Sequence, residues 1–273
     1  MSASTPGRVH GEADGAVGTI LLDNPRRFNA MTRTMWQQLR LVVTETARQP
    51  GLRLIVLRGA GGHFCAGGDI SEYPDFRFES DSLRAFHEDD VWGALSALLA
   101  CDVPLVAQIS GHCMGAGMEL ACCCDLRVAA ASAQFGAPIA KLGFPMAPRE
   151  LALVAQEAGR ATARQMLLEA AVLSAADLAQ RGFLSRVVAD EDLQAVVHAT
   201  VDRMRGLSPR AARLNKQALR KLFSHPALVE PGSDAPDLDA EVRHLLAHAY
   251  DDAGAAEHRE GIQAFLHKRA PRF

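Results

Sequence analysis

Two glycine-rich turns carry the residues of this 273-residue chain best suited to chemistry. The first reads His63-Phe64-Cys65-Ala66-Gly67-Gly68-Asp69-Ile70. The second reads Gly111-His112-Cys113-Met114-Gly115-Ala116-Gly117-Met118-Glu119-Leu120. Neither fits the GxxxxGK[ST] phosphate loop or the GxGxxG dinucleotide fingerprint. Such turns instead offer main-chain N–H groups, because small residues let a ligand approach the backbone closely. Ala116 is expected in the first turn of a helix, where N–H groups lack internal acceptors and the dipole is positive. Gly68 stands just before a second helix start. Two such donors aimed at one point form an oxyanion hole, which holds a carbonyl oxygen as it gains negative charge. Ordinary turn chemistry explains either loop taken alone. Asp69 has a simpler reading too: Asp69-x-x-Glu72 is a capping-box-like helix start, which makes Asp69 an N-cap.

Glu119 lies one turn into an otherwise apolar helix, between Met118 and Leu120. If unpartnered, it is desolvated, and its pKa rises toward the range useful to a general acid or base. If partnered near the helix N-terminus, its pKa falls instead, and the sequence leaves both readings open. His63 and His112 flank the two loops and read as loop residues, since a histidine seldom acts without an orienting partner. Six cysteines, three of them consecutive at Cys122–Cys124, form no CxxC pair and read as small core residues of a reducing compartment. A zinc site through His112 and Cys113 is disfavoured, because chain neighbours rarely face one metal.

The elements that must carry these loops alternate in the first half of the chain. Val17–Leu22, Leu52–Leu57, Leu105–Ile109 and Leu126–Ala130 read as buried strands. Met31–Arg48, Leu83–Leu99 and the segment through Leu120–Cys124 read as helices. This alternation predicts an α/β fold. Beyond Gly159 the pattern turns almost wholly helical, over 160–169, 175–181, 192–205, 209–223, 240–249 and 257–269. A proline-bearing loop interrupts it at 225–237. Apolar residues make up 48% of the chain and charged residues 22%, enough for a sizeable core, and the net charge is −3. That balance argues against nucleic acid or an anionic membrane as the main partner. The N-terminal stretch reads as no secretory signal, and no apolar run approaches about 20 residues, so a cytoplasmic location is expected.

Taken in order, these pieces resemble the signature of the crotonase, or enoyl-CoA hydratase/isomerase, superfamily. The matching segments include Asn24-Pro25…Phe28-Asn29-Ala30-Met31, Leu105-Val106-Ala107-Gln108-Ile109-Ser110-Gly111 and Cys124-Asp125-Leu126-Arg127-Val128-Ala129. They continue with Gln134-Phe135-Gly136…Lys141-Leu142-Gly143…Pro145, Gly159-Arg160-Ala161 and Glu260-Gly261…Lys268-Arg269…Pro271. The resemblance spans roughly residues 15–273. It implies a spiral of ββα units, with an acyl-CoA-binding core over 1–200 and a C-terminal helical trimerisation segment over 201–273. It further implies a homotrimer or hexamer, no metal and no separate cofactor, since coenzyme A enters as part of the substrate. By resemblance, Gly68 and Ala116 are the oxyanion-hole donors, and Ala66 meets the adenine, with Asp69, Ile70 and Ile139 at the substrate. Arg27 and Lys268 fall near positions that contact CoA phosphates, although solvated surface charge explains them equally well.

Glu119 matches the first catalytic glutamate of the family's hydratases. The second is missing: Phe135-Gly136-Ala137-Pro138-Ile139 sets Ile139 where that glutamate stands, and isoleucine transfers no proton. Glu150 is the candidate replacement, although a helix-N-terminal charge is its simpler reading. The expected function is thioester-enolate chemistry with Glu119 as acid/base. The alternative is a catalytically silent CoA-ester-binding relative. Acyl specificity is expected to lie in residues 73–91 and 139–150. A Rossmann dehydrogenase lacks its glycine fingerprint here, and a serine hydrolase lacks its GxSxG elbow.

Overall fold

A computed structural model describes residues 6–223 and 255–273. Its main sheet has six strands in the order β1 (Arg8–Asp14), β2 (Val17–Asp23), β3 (Leu54–Gly59), β4 (Leu105–Ile109), β6 (Leu126–Ala130) and β9 (Arg186–Val188). The β1–β2 pair is antiparallel and every later pair is parallel. Parallel neighbours require crossovers, which helices supply. α1 (Arg33–Ala47) joins β2 to β3. A helical run joins β3 to β4: α2 (Ser80–Ala85), a π-helical turn over Phe86–Val91, and α3 (Trp92–Ala100). Between β4 and β6 come β5 (His112–Met114) and α4 (Ala116–Cys122). A second sheet pairs β5 with β7 (Gln134–Gly136) in parallel and β7 with β8 (Val172–Ser174) antiparallel. Strand–helix repetition with a second small sheet is the spiral expected from the resemblance.

The near-continuous apolar strands follow from a sheet covered on both faces. Along β3, Ile55 and Leu57 join the main core with Trp36, Leu39, Phe64, Leu98 and Met118. Leu54 and Val56 point to the other face and pack on Leu193, Val197 and Val201 of α8 (Leu193–Arg205). α1 starts at Thr32, whose side chain accepts from Met35 N. All six cysteines are buried and free, and burial pushes the Cys65 and Cys124 thiols up to about 12, as expected of core residues.

Beyond β7 the chain forms α5 (Pro148–Glu157), α6 (Arg160–Leu168), α7 (Ala175–Gln180), α8, α9 (Pro209–Phe223) and α10 (Ala256–Leu266). The expected division at residue 200 falls within α8. α9 latches onto the loops that feed the parallel strands. Arg213 donates to Leu52 O, Lys216 to Val103 O, and Arg220 to Leu99 O and Asp102. The loop expected over 225–237 and the helix over 240–249 lie outside the described residues.

Three expectations need correction. β1 was not anticipated, because only Val9 of its seven residues is buried and no apolar alternation marks it. The region after Gly159, expected to be almost wholly helical, also carries two short strands. β8 and β9, three residues each, are too short to show a period. The single helix expected over 83–99 contains the π turn, whose apolar spacing matches a helix.

The first loop hangs on two asparagines. Asn29 is fully buried at a left-handed φ of 59°, which asparagine tolerates. Its Oδ1 accepts from Asn24 N at 2.9 Å, and its Nδ2 donates to Ala60 O and His63 O at 2.7 Å each. Asn24 Nδ2 donates to Ala30 O at 2.8 Å. Asn29→Leu strands one N–H and two carbonyls, each worth about 1–3 kcal/mol when unsatisfied. A loss of about 2–5 kcal/mol is expected in urea denaturation, and an unchanged midpoint would remove Asn29 from this role.

Candidate active site

The two glycine-rich loops interlock by main-chain hydrogen bonds. Cys65 N donates to His112 O at 2.8 Å and Met114 N to Cys65 O at 2.9 Å, while Gly115 N ties the second loop to Gly136 O of β7 at 2.8 Å. On the other side Met31 N donates to Gly67 O and Asp69 N to Met31 O, each at 2.8 Å, bracketing Gly68. Gly115 precedes α4 at φ 48°, ψ −110°, a conformation that side-chain-bearing residues rarely adopt. A Cβ on Gly117 would collide with Cys65 O, so the helix starts in contact with the first loop only because that residue is glycine. Gly68 N and Ala116 N donate to no acceptor among the described residues, and both residues line one cavity of about 350 Å³.

The cavity wall is mainly apolar, with Trp36, Ile70, Phe86, Ile139, Phe144 and Met146, but two carboxylates face it. Glu119 is 9% exposed, and its carboxylate accepts no hydrogen bond from any described residue. Burial, reinforced by the charge of Glu150, pushes it up to about 8. Of the two readings open for Glu119, the unpartnered and desolvated one holds.

Glu150 is 2% exposed in the first turn of α5, where the dipole favours a negative charge. Its Oε1 lies 3.0 Å from His87 Nδ1. His87 comes from the π-helical turn and also lines the cavity. The next residues along each element pair as well: Arg149 Nε lies 3.0 Å from Glu88 Oε2, and the guanidinium stands over Trp92. The sequence reading missed His87. An isolated histidine in a helical run gives no signal, and its partner is 63 residues away.

Of the site residues expected from sequence, Ala66, Gly68, Ile70, Ala116, Glu119, Ile139 and Glu150 all line this cavity. Asp69 does not. It is the N-cap of a 3-10 turn over Ile70–Asp75, where its Oδ1 accepts from Ser71 N at 3.1 Å and from Arg27 Nη1 at 3.1 Å. Glu72 leaves the capping box open and accepts from Arg33 N instead. Arg27 lines a separate pocket with Asp69 and Glu72. Lys268 is exposed beyond α10, away from the cavity. His63 and His112 stack with ring centroids 4.7 Å apart, and His112 N donates to His63 Nδ1, as befits loop residues. Among the described residues, no three His, Cys, Asp or Glu side chains converge as metal ligands, and no helix is long and apolar enough to cross a membrane.

Residues 12–273 match the enoyl-CoA hydratase/isomerase family model. A probable enoyl-CoA hydratase of Mycobacterium tuberculosis is 32% identical over 262 residues, covering 96% of each chain. A mevalonyl-coenzyme A hydratase of Beauveria bassiana is 29% identical, over 92% of this chain and 89% of that one. The crystal structure of an enoyl-CoA hydratase/carnithine racemase from Magnetospirillum magneticum superposes with a TM-score of 0.88 at 34% identity, over 98% of this chain and 96% of that one. A family match over nearly the whole chain, agreeing with the fold, leaves one assignment: the chain belongs to the enoyl-CoA hydratase/isomerase family of the crotonase superfamily, a family of acyl-CoA enzymes.

Proposed function

We propose that the protein hydrates a 2-enoyl-CoA thioester, with Gly68 and Ala116 as oxyanion-hole donors and Glu119 and Glu150 as the acid–base pair. The observation that carries this reading is the convergence of two unpaired backbone N–H groups and two buried carboxylates on one cavity. The thioester oxygen takes the two N–H bonds. Glu150 accepts a proton from water as the water oxygen bonds to C3. The double-bond electrons move toward the thioester oxygen, whose negative charge the two donors hold. The enolate then collapses as Glu119 gives its proton to C2. Proton return from Glu150 to Glu119 through water resets the pair. Ile139 takes no part, and His87 orients Glu150 through its Nδ1.

With Glu119 held to about 8, the acid form dominates at neutral pH. Turnover should therefore fall as pH rises through about 8, and Glu119→Gln should lose it by about 10²–10⁴-fold or more while keeping CoA-ester affinity. Glu150→Gln should lower kcat over the same range of about 10²–10⁴. Crotonyl-CoA, followed by loss of its conjugated thioester absorbance, is the assay. Ester binding without turnover of any acyl group in the wild type would favour the catalytically silent relative. Unaltered rates in either variant would remove that residue from the mechanism.

The same pKa sets a stability signature. Folded Glu119 holds its proton up to about 8, whereas its ordinary value is 4.5. Between these values the native state binds more protons than the unfolded state, so stability falls as pH rises through that window. The slope is at most about 1.4 kcal/mol per pH unit. Glu119→Gln should flatten this dependence and be more stable than wild type at pH 8.5 in urea titrations. An unchanged pH slope would contradict a buried, neutral Glu119.

A further inference from the structure

Arg77 is the one guanidinium in the cavity wall among the described residues, and neither carboxylate of that wall pairs with it. It makes no hydrogen bond and no ion pair with any described residue. Its Cζ lies 3.4 Å from the ring centroid of Phe144 and 4.8 Å from that of Tyr73. Stacking on two aromatic faces holds the planar group in place but supplies no acceptor for its five N–H donors. The two carboxylates of the cavity do not serve: Glu150 faces His87, and Arg77 is not among the charges acting on Glu119. Burial correspondingly pulls the Arg77 guanidinium below its ordinary value. A half-buried cation without an anion is costly in an apolar setting, and the cost is relieved when an anion arrives.

The position of the cation says which part of a ligand it would meet. Tyr73 bridges the distance: its hydroxyl abuts the space above Gly68 Cα, and its ring lies beside the guanidinium. The cation thus stands about one tyrosine side chain away from the oxyanion-hole glycine, between Tyr73 and Phe144, while Phe76 and Phe86 pack against the Tyr73 ring. Arg27, by contrast, lies outside this cavity with its guanidinium on Asp69 and Ser71. Lys141, exposed at the rim, adds a second positive charge.

We propose that the acyl group of the substrate ends in a carboxylate, and that Arg77, clasped by Tyr73 and Phe144, receives it. The substrate class is then a short dicarboxylyl-CoA thioester. A carboxylate matches the guanidinium fork with two parallel hydrogen bonds. This inference rests on the acyl-CoA reading above and adds the chemistry of the acyl tail.

Equilibrium binding tests it without requiring turnover. The ligands are glutaryl-CoA and pentanoyl-CoA, which share five acyl carbons and differ in the terminal carboxylate. Arg77→Met should weaken glutaryl-CoA by about 10–100-fold, the range of a charge-assisted pair, and leave pentanoyl-CoA within about twofold. Arg77→Lys should recover part of the loss, and raised salt should weaken only glutaryl-CoA. Unchanged pentanoyl-CoA binding also reports an intact fold; should Met disturb the aromatic stack, Arg77→Gln gives the same comparison. Equal weakening of both esters would assign Arg77 to the CoA phosphates and overturn the proposal, as would a glutaryl-CoA affinity indifferent to the substitution. If the wild type binds neither ester, the acyl-CoA reading falls first. If it binds pentanoyl-CoA but not glutaryl-CoA, only the carboxylate proposal falls.

Discussion

Two backbone N–H groups left without acceptors inside a folded chain are the constraint around which this site is arranged. An unsatisfied buried N–H costs about 1–3 kcal/mol, so the surrounding backbone must gain no alternative that would let them collapse inward. The chain achieves this by occupying the neighbours. Residues 65, 67, 69, 114 and 115 all commit main-chain groups to one another or to Met31, His112 and Gly136. Gly68 and Ala116 are what remains. The carbonyls that would otherwise approach them are held by the 65–113 bridge, by β5 against β7, and by the Asn24–Asn29 pair beneath the first loop. Pre-paired surroundings mean that little reorganisation is needed when a thioester oxygen arrives, and this makes such donors effective.

The charges follow from the same geometry. An enolate held by these two donors is negative, and two ionised carboxylates beside it would repel it. Two unit charges 4 Å apart interact by about 4 kcal/mol even at an effective dielectric of 20. On the proposed mechanism a protonated Glu119 removes one of those charges and supplies the proton the enolate needs. Its burial between Met118 and Leu120 therefore has a use beyond packing, at the expense of stability at higher pH. Arg77 adds a positive charge to the same wall, which the proposed substrate carboxylate would meet.

Much of this was legible in the sequence because it depends on local chemistry. The continuous apolar run of β3, buried on both faces, and the apolar spacing of α1 are written in consecutive residues. So are the glycines at 115 and 117, which only a tight helix start in contact with another loop demands. What was not legible depends on partners distant in the chain. β1 is an exposed edge strand that pairs with β2 and buries only Val9, so no alternation betrays it. β5, β7, β8 and β9 span three residues each and exist because neighbours complete their ladders. Asp69 caps the Ile70–Asp75 turn, as its local reading as an N-cap expects, whereas the substrate contact that the resemblance implies for it is not in this cavity wall. His87 and Arg77 match no motif, and both line the cavity.

Ile139 and Glu150 are best understood together. On the proposed mechanism the second proton carrier sits in the first turn of α5 rather than on the short turn that holds Ile139. The helix N-terminus favours negative charge there, His87 fixes one carboxylate oxygen, and the Arg149–Glu88 pair ties the same turn of helix to the π segment. Keeping a glutamate at 139 as well would set three carboxylates around about 350 Å³ of mainly apolar cavity. Each added negative charge raises the others' proton affinity. Glu119, already raised by burial and by the charge of Glu150, would be driven higher still. On the proposed mechanism an apolar residue at 139 suits a buried carboxylate at 150, and isoleucine at the position that the resemblance gives to a second glutamate fits a site using a different pair.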